Sequence, residues 1–284
     1  MTPHLRSRPA LRMGWHHLLF LHWRAETEHL QSLIPDELEI DTFDGQAYVG
    51  LIPFSMTRVR PRHLPHLHFA PKLYDFHETN VRTYVRHRGS GECGVWFFSL
   101  DAASLPAVVV ARTWFHLPYF WSKMQLQIKR RGQERHLAYA SRRVWPSPRN
   151  AGCDVRAVVD LRQSPQSAAL GSLEHFLVER YLLFSHDGTR LFKGRVAHKP
   201  YRLQPARVES CRENLIAAAN IDCAKGPPHV LFASQARVEA WPATRLDPSQ
   251  FRRTDMDGTH GATIFAPHEY SCTRQANALA CAKR

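Results

Sequence analysis

Residues 76–102, FHETNVRTYVRHRGSGECGVWFFSLDA, read as two strands joined by a Gly-rich turn. The first run carries Glu78, Asn80, Arg82, Tyr84 and Arg86 at every second position, and alternate side chains of a strand share one face. Val81, Thr83 and Val85 take the other face. A face built from a carboxylate, an amide, two guanidiniums and a phenol is either solvent surface or the lining of a polar cavity. On an open sheet the wet face is the ordinary outcome. In a closed barrel the interior is also a face, and the two readings stand level.

Upstream of this pair, residues 15–23 read as a strand, and 26–33 have helical spacing that stops before Pro35. Asp44-Gly45 marks a turn and residues 46–56 a further strand. Residues 58–72 are rich in Pro and His, lack periodicity and read as a long loop or flap. Downstream, residues 104–115 look helical, with Ser104 as the cap and Pro106 in the first turn. Residues 124–131 and 136–145 alternate like paired strands around Arg131-Gly132, and 154–161 continue the pattern. Residues 172–183 are expected to be helical, with Ser172 capping and Glu174 in the first turn. After the Asp187-Gly188 turn come a strand at 190–198, a helix at 206–220 and a strand at 230–241. The expected class is α+β, mainly antiparallel β, with one domain at 1–242 and a poorly packed tail at 243–284.

The chain has 284 residues, enough to bury a core without staples. Its net charge is +13, carried by 31 Arg and 7 Lys scattered along the chain without a nucleic-acid-binding motif. A solvated basic surface is the preferred reading, and nucleic acid ranks as an unlikely partner. Six irregularly spaced cysteines, none in a CxxC pair, suggest reduced thiols and a cytoplasmic location. The apolar LLFL run at 18–21 is too short for a signal or membrane-spanning segment. No Walker loop, dinucleotide fingerprint, HExxH or nucleophile elbow is present.

Six motifs, GWHHLLFLHW, LIPDELEIDTFDGQAYVGLIPFSM, ETNVRTYVR, GVWFFSLDA, ARTWFHLPYFWSKM and GSLEHFLVERYLLF, resemble in order those of the YqjF-like family. That family is an uncharacterised group within the acetoacetate-decarboxylase-like superfamily. The resemblance covers residues 12–242 and implies a cone-shaped antiparallel β-barrel with a few packed helices and an internal pocket. True decarboxylases of the superfamily use a Schiff-base lysine whose pKa is lowered by a second lysine. By this resemblance Pro118 lines up with their turn, but Tyr119 and Phe120 stand where the two lysines belong. Thr113 replaces the acidic residue after Arg112, and Glu78 corresponds loosely to a pocket glutamate. A phenol cannot form an imine, so decarboxylation by the family route is not expected. Lys123 reads as a solvated side chain.

The leading expectation is therefore a small, partly apolar acid or ketone bound inside the barrel. Any chemistry would be of the lyase or hydratase kind, without a Schiff base. Glu78, Arg82 and Tyr119 are the candidate catalytic residues. Tyr84, Asn80, Arg112 and His116 are the candidate ligand contacts, with Arg112, His116 and Tyr119 at the mouth. A non-catalytic ligand-binding or regulatory protein is the alternative, and whether the protein is an enzyme at all is left open. A nucleic-acid or anionic-surface binder is third. No cofactor and no metal are expected; the H-x2-H-x-H of His63, His66 and His68 reads as an exposed loop. No membrane partner is expected, and a homo-oligomer is open. Arg142-Arg143 and Lys129-Arg130-Arg131 are read as solvated edge residues, and Glu179-Arg180 as meeting solvent or a neighbouring strand.

Overall fold

The computed structural model describes residues 8–62, 74–224 and 226–246. Thirteen strands form one continuous sheet. They are β1 (Leu11–Ala25), β2 (Leu38–Ile40), β3 (Ala47–Pro61), β4 (Phe76–His87), β5 (Cys93–Ala102), β6 (Tyr119–Arg131) and β7 (Glu134–Trp145). Then follow β8 (Gly152–Asp160), β9 (Leu182–His186), β10 (Leu191–Ala197), β11 (Leu203–Glu213), β12 (His229–Ala240) and β13 (Thr244–Arg245). Helices that lie wholly within the described residues are α1 (Thr27–Ser32), α2 (Leu105–Phe115) and α3 (Leu173–Val178).

The sheet closes on itself twice. The larger ring runs β5, β6, β7, β8, β11, β12, β1, β3, β4 and back to β5. The smaller ring leaves β5 through β9 and β10, rejoins at β12, and shares β12, β1, β3, β4 and β5 with the larger. The fork lies in β5: Val95 and Trp96 pair in parallel with β9, whereas Leu100 to Ala102 pair in parallel with β6. All other strand pairs are antiparallel. A register shift in β5 opposite Val81/Arg82 accompanies the fork, as bulges do where a sheet must bend.

A wall shared by two rings is buried on both faces, and its strands read as unbroken apolar runs. Leu18, Leu19, Phe20 and Leu21 are all within 2% of complete burial. Leu19 and Leu21 join Val49, Leu51, Val81, Val85, Leu137, Val155, Ala157, Val159 and Phe232 in the core of the larger ring. Leu18 and Phe20 join Ile52, Phe54, Met56, Tyr84, Val95, Leu231 and Ala233 in the core of the smaller. The LLFL run is thus the signature of a strand between two chambers.

Three expected elements differ. Residues 206–220 are not a helix: β11 pairs with β8 and β12, and only Ala217–Ala219 coil, as a single 3-10 turn. A register shift between Val208 and Ser210 resets the alternation, which makes a strand mimic helical spacing. The helix beginning at Ser172 ends at Val178, because Leu182 and Leu183 pair with β10 and Leu183 also pairs with Val95 of β5; Ser172 does cap it, accepting from His175 N. The loop expected from residue 58 begins later, since Arg58 to Pro61 still belong to β3. His63, His66 and His68, and the tail beyond Leu246, lie outside the described residues. Ser104 occupies the N-cap of α2 without a side-chain cap bond. No helix among the described residues is long and apolar enough to cross a membrane.

Candidate functional site

The even residues of β4 face the smaller ring. Strand register sets them in rows across the shared wall: Phe54–Glu78–Ala102, Ile52–Asn80–Leu100 and Gly50–Arg82–Phe97, with Tyr84 opposite Val95. Glu78, Asn80, Arg82 and Tyr84 are 3%, 5%, 9% and 0% exposed, so this polar face is interior and not wet surface. β6 continues the rows, with Tyr119 beside Leu100 and Trp121 beside Ala102.

Two polar stations result. In the first, the Tyr119 hydroxyl donates to Glu78 Oε2 at 2.8 Å, and the Asn80 side chain also hydrogen-bonds the carboxyl. Removal from water pushes the Glu78 carboxyl up to about 8; the bonds from Tyr119 and Asn80 oppose this, and nearby Asp101 adds to it. At neutral pH Glu78 is therefore mainly a neutral acid. Burial and the adjacent Glu78 hold the Tyr119 phenol well above its ordinary value, so it stays protonated.

The second station surrounds Arg82. Its Nη2 donates to Leu177 O at 3.0 Å, and the Tyr84 hydroxyl donates to the same carbonyl at 2.6 Å. The Arg82 Cζ lies 5.8 Å from the centre of the Phe20 ring and 5.7 Å from that of Tyr84. His22 Nε2 is 2.7 Å from the Tyr84 hydroxyl. No carboxylate among the described residues pairs with Arg82, and its buried Nε lacks a hydrogen-bond partner. Burial and the Arg82 charge hold the His22 imidazole well below its ordinary value, so it is neutral. Gly50 makes the arrangement possible. A Cβ there would meet His22 Cδ2 and Ile52 Cδ1 at 2.9 Å, so the imidazole lies across the glycine.

Other charged groups are committed to bracing. Asp101 takes Arg143 Nε and Nη2 at 3.0 and 2.8 Å and Ser122 Oγ at 2.6 Å, and Phe120 stacks on the guanidinium with Cζ 3.4 Å from the ring centre. This pair is sealed in the larger ring, against the expectation that Arg142-Arg143 is solvated; only Arg142 is exposed. Alternation along β7 turns Leu137, Tyr139, Ser141 and Arg143 to one buried side. Asp41 binds Arg180 at 2.7 Å and Arg86 at 2.9 Å, and Glu179 accepts from the Tyr201 amide at 2.9 Å and from the Tyr181 hydroxyl. Glu179-Arg180 is thus interior, so of the two expected settings, solvent or a neighbouring part of the fold, it takes the second. Lys129, Arg130 and Arg131 are exposed as expected, in a stretch of β6 that pairs with β7 alone among the described residues; β6 meets β5 only at Tyr119 to Trp121.

The structure separates the remaining candidates from Glu78. Arg112 is exposed, donates from Nη1 to Tyr119 O at 2.7 Å and lies 5.7 Å from the Trp145 ring centre. His116 closes α2 in the left-handed conformation and stacks on Phe192 at 4.8 Å. Both line an open groove of about 1050 Å3 with Trp96, Phe98, Phe120 and Phe184. Glu78, Asn80, Arg82, Tyr84 and Tyr119 do not line it. Lys123 is exposed, and no described lysine is buried. No cluster of three metal-ligating side chains occurs among the described residues.

Sequence reasoning missed His22 and the Leu177 carbonyl. His22 was within reach, since it continues the Leu18–Phe20 alternation into the same chamber. The Leu177 carbonyl belongs to the last turn of α3, where carbonyls lack helical partners, but which distant side chains meet it carries no sequence signal.

Comparison with known proteins agrees with this architecture. Residues 12–237 match the DUF2071 family, described as an uncharacterized conserved protein. The uncharacterized protein YqjF of Bacillus subtilis (strain 168) is 34% identical over 232 residues, covering 82% of this chain and 90% of that protein. Among solved structures, the acetoacetate decarboxylase of Legionella pneumophila superposes with a TM-score of 0.57 at 16% identity, covering 87% of this chain and 92% of that one. An acetoacetate-decarboxylase-like enzyme from Sphingomonas wittichii RW1 gives 0.55 at 15%, covering 87% and 98%. The enduracididine biosynthesis enzyme MppR complexed with pyruvate gives 0.54 at 11%, covering 86% and 93%. At these identities the likeness is one of fold. Both the matched span and the relative's identity place this chain in one group: it belongs to the DUF2071 family, built on an acetoacetate-decarboxylase-like barrel.

Proposed function

We propose that the smaller ring binds a small, partly apolar carboxylate, with Arg82 taking the carboxylate and Glu78 acting as a neutral proton donor. The observation that carries this reading is the state of Arg82. It is a buried guanidinium with no carboxylate partner among the described residues and an unsatisfied Nε. A buried charge left unpaired is costly, and an anionic ligand offering two oxygens would satisfy it. Phe20, Phe54, Leu231 and Ala233, buried in the same cluster as Tyr84, would supply the apolar contacts. The fold neighbour MppR carries pyruvate, a ligand of this class, which lends support by analogy of fold alone.

Glu78 suits proton transfer because its raised pKa lies near neutrality. In a hydratase, its proton would pass to one carbon of a double bond beside the carboxylate. Water would add its hydroxyl to the other carbon and return its proton to Glu78. Tyr119 would hold the carboxyl in place through the hydrogen bond at Oε2. Imine chemistry is set aside, since Tyr119 cannot form one and Lys123 is exposed.

The test is thermal denaturation with millimolar crotonate, butyrate and pyruvate, for the wild type and for Arg82→Met. Melting should rise with at least one carboxylate in the wild type and with none in the variant. Equal shifts in both proteins would sink the assignment. Following crotonate absorbance then separates the two versions of the reading. Loss of absorbance that Glu78→Gln abolishes marks an enzyme. Binding without turnover marks the non-catalytic protein, a reading favoured by the tyrosine at position 119.

A further inference from the structure

Two buried atoms on side chains that flank the same two aromatic rings of the smaller ring are unsatisfied, and they have opposite polarity. Arg82 Nε–H is a donor without an acceptor, and His22 Nδ1 lacks any partner. The polarity of the second atom follows from two distances. The Tyr84 hydroxyl is 2.6 Å from Leu177 O, and a carbonyl has no proton to give, so the phenol donates there. Its single proton is then spent. His22 Nε2, at 2.7 Å from the same hydroxyl, must therefore be the donor in that contact. A neutral imidazole protonated at Nε2 leaves Nδ1 as a bare acceptor.

The two atoms share a frame. Phe20 and Tyr84 both neighbour both groups: the His22 ring centre is 6.4 Å from that of Phe20 and 6.0 Å from that of Tyr84, while Arg82 Cζ is 5.8 and 5.7 Å from them. Gly50, standing between His22 and Arg82 in the strand register, contributes no side chain to separate them. A ligand that satisfies this pair needs an acceptor for Arg82 and a donor for His22. A 2-oxo acid or a plain fatty acid brings acceptors only.

Resting on the carboxylate reading of Arg82, we infer that the ligand is a hydroxy acid, its hydroxyl on the second or third carbon donating to His22 Nδ1. The selectivity comes from desolvation. A ligand lacking the hydroxyl leaves Nδ1 buried and unpaired, and a 2-oxo acid sets a second lone pair against it.

The experiment is calorimetric titration of wild type, His22→Phe and Arg82→Met with lactate, 3-hydroxybutyrate, pyruvate, acetoacetate, propionate and butyrate. In the wild type one hydroxy acid should bind at least about tenfold more tightly than its oxo and deoxy analogues. His22→Phe, in which Tyr84 keeps its bond to Leu177 O, should bind all members of a series within about threefold of one another. Arg82-dependent binding of carboxylates with no preference for the hydroxyl, or a preference that survives in His22→Phe, overturns the inference and leaves the Arg82 reading intact. Failure of every carboxylate to bind removes both. Should His22→Phe not fold, 15N-histidine spectra of the wild type decide the matter. The Nδ1 resonance of an unprotonated ring should move with the hydroxy acid and stay with propionate, and an identical response to both overturns the inference.

Discussion

Arg143 and Arg82, both buried in the barrel wall, are treated oppositely. Arg143, in the larger ring, meets both oxygens of Asp101 under a stacked phenylalanine. Arg82, in the smaller ring, meets one carbonyl, the Tyr84 hydroxyl and aromatic faces, with no carboxylate partner among the described residues. Both sit in strands of the same sheet, and the fold that gives Arg143 and Arg180 a buried counter-ion gives Arg82 none among the described residues. The larger ring pairs its buried charges with each other, although the hydroxyls of Thr79 and Ser99 there lack partners. The smaller ring keeps polar groups pointed at an interior they do not satisfy. A buried charge that is paired serves the fold, and one left without a counter-ion is where a ligand is to be sought.

The sharpest way to break this contrast is to unpair Arg143. Asp101→Leu should cost about 3–5 kcal/mol in urea denaturation, because it strands a buried charge. A loss below about 1 kcal/mol would mean that the two arginines are not so different. Glu78→Gln tests the smaller ring by pH. Its pKa rises from the ordinary 4.5 to about 8 on folding, so the folded state holds the proton longer. Wild-type stability should therefore fall from pH 4.5 to 8, by about 1.4 kcal/mol per unit from this group. The glutamine variant should lose that slope and exceed wild type at pH 8 by roughly 3–4 kcal/mol. An unchanged slope would show Glu78 to be ordinary.

Gly50→Ala should cost about 1–3 kcal/mol by forcing the His22 ring aside, and should weaken any binding that depends on His22. Tyr119→Phe removes one hydrogen bond and should cost about 1 kcal/mol, with the Glu78 pKa moving further up because that bond opposes the rise. The smallest expected effect is the most informative. Arg82→Met should leave stability without ligand within about 1 kcal/mol of wild type, since it trades an unpaired charge for an apolar side chain. A loss as large as that of Asp101→Leu would make Arg82 a structural residue like Arg143.

Much of this was legible in the chain. The alternation Glu78–Asn80–Arg82–Tyr84 fixes a polar face, and the six family motifs supply the closure that turns such a face inward. What periodicity does not carry is the second closure. The parallel joins of β5 to β6 and β9 involve only a few residues each and leave no pattern. The same limit hid the pairing of Arg143, which depends on a partner 42 positions away on another strand. It also placed Arg112 and His116 at the mouth, because nearness to Pro118 in sequence says nothing about which side of the wall a side chain leaves. The helix expected at 206–220 failed for a local reason, the bulge at Val208/Ser210.

The shared wall also bears on how this protein tolerates insertion and deletion. Each residue of β4 belongs to one chamber and its neighbours belong to the other. Removing one residue ahead of Glu78 would send Val81, Thr83 and Val85 into the smaller ring and the carboxyl, guanidinium and phenol into the apolar packing of the larger. Point changes on the even face leave the odd face untouched, so the two linings are free to diverge at different rates. The spacing of the strand has no such freedom, and length variation should be confined to the turn before Cys93.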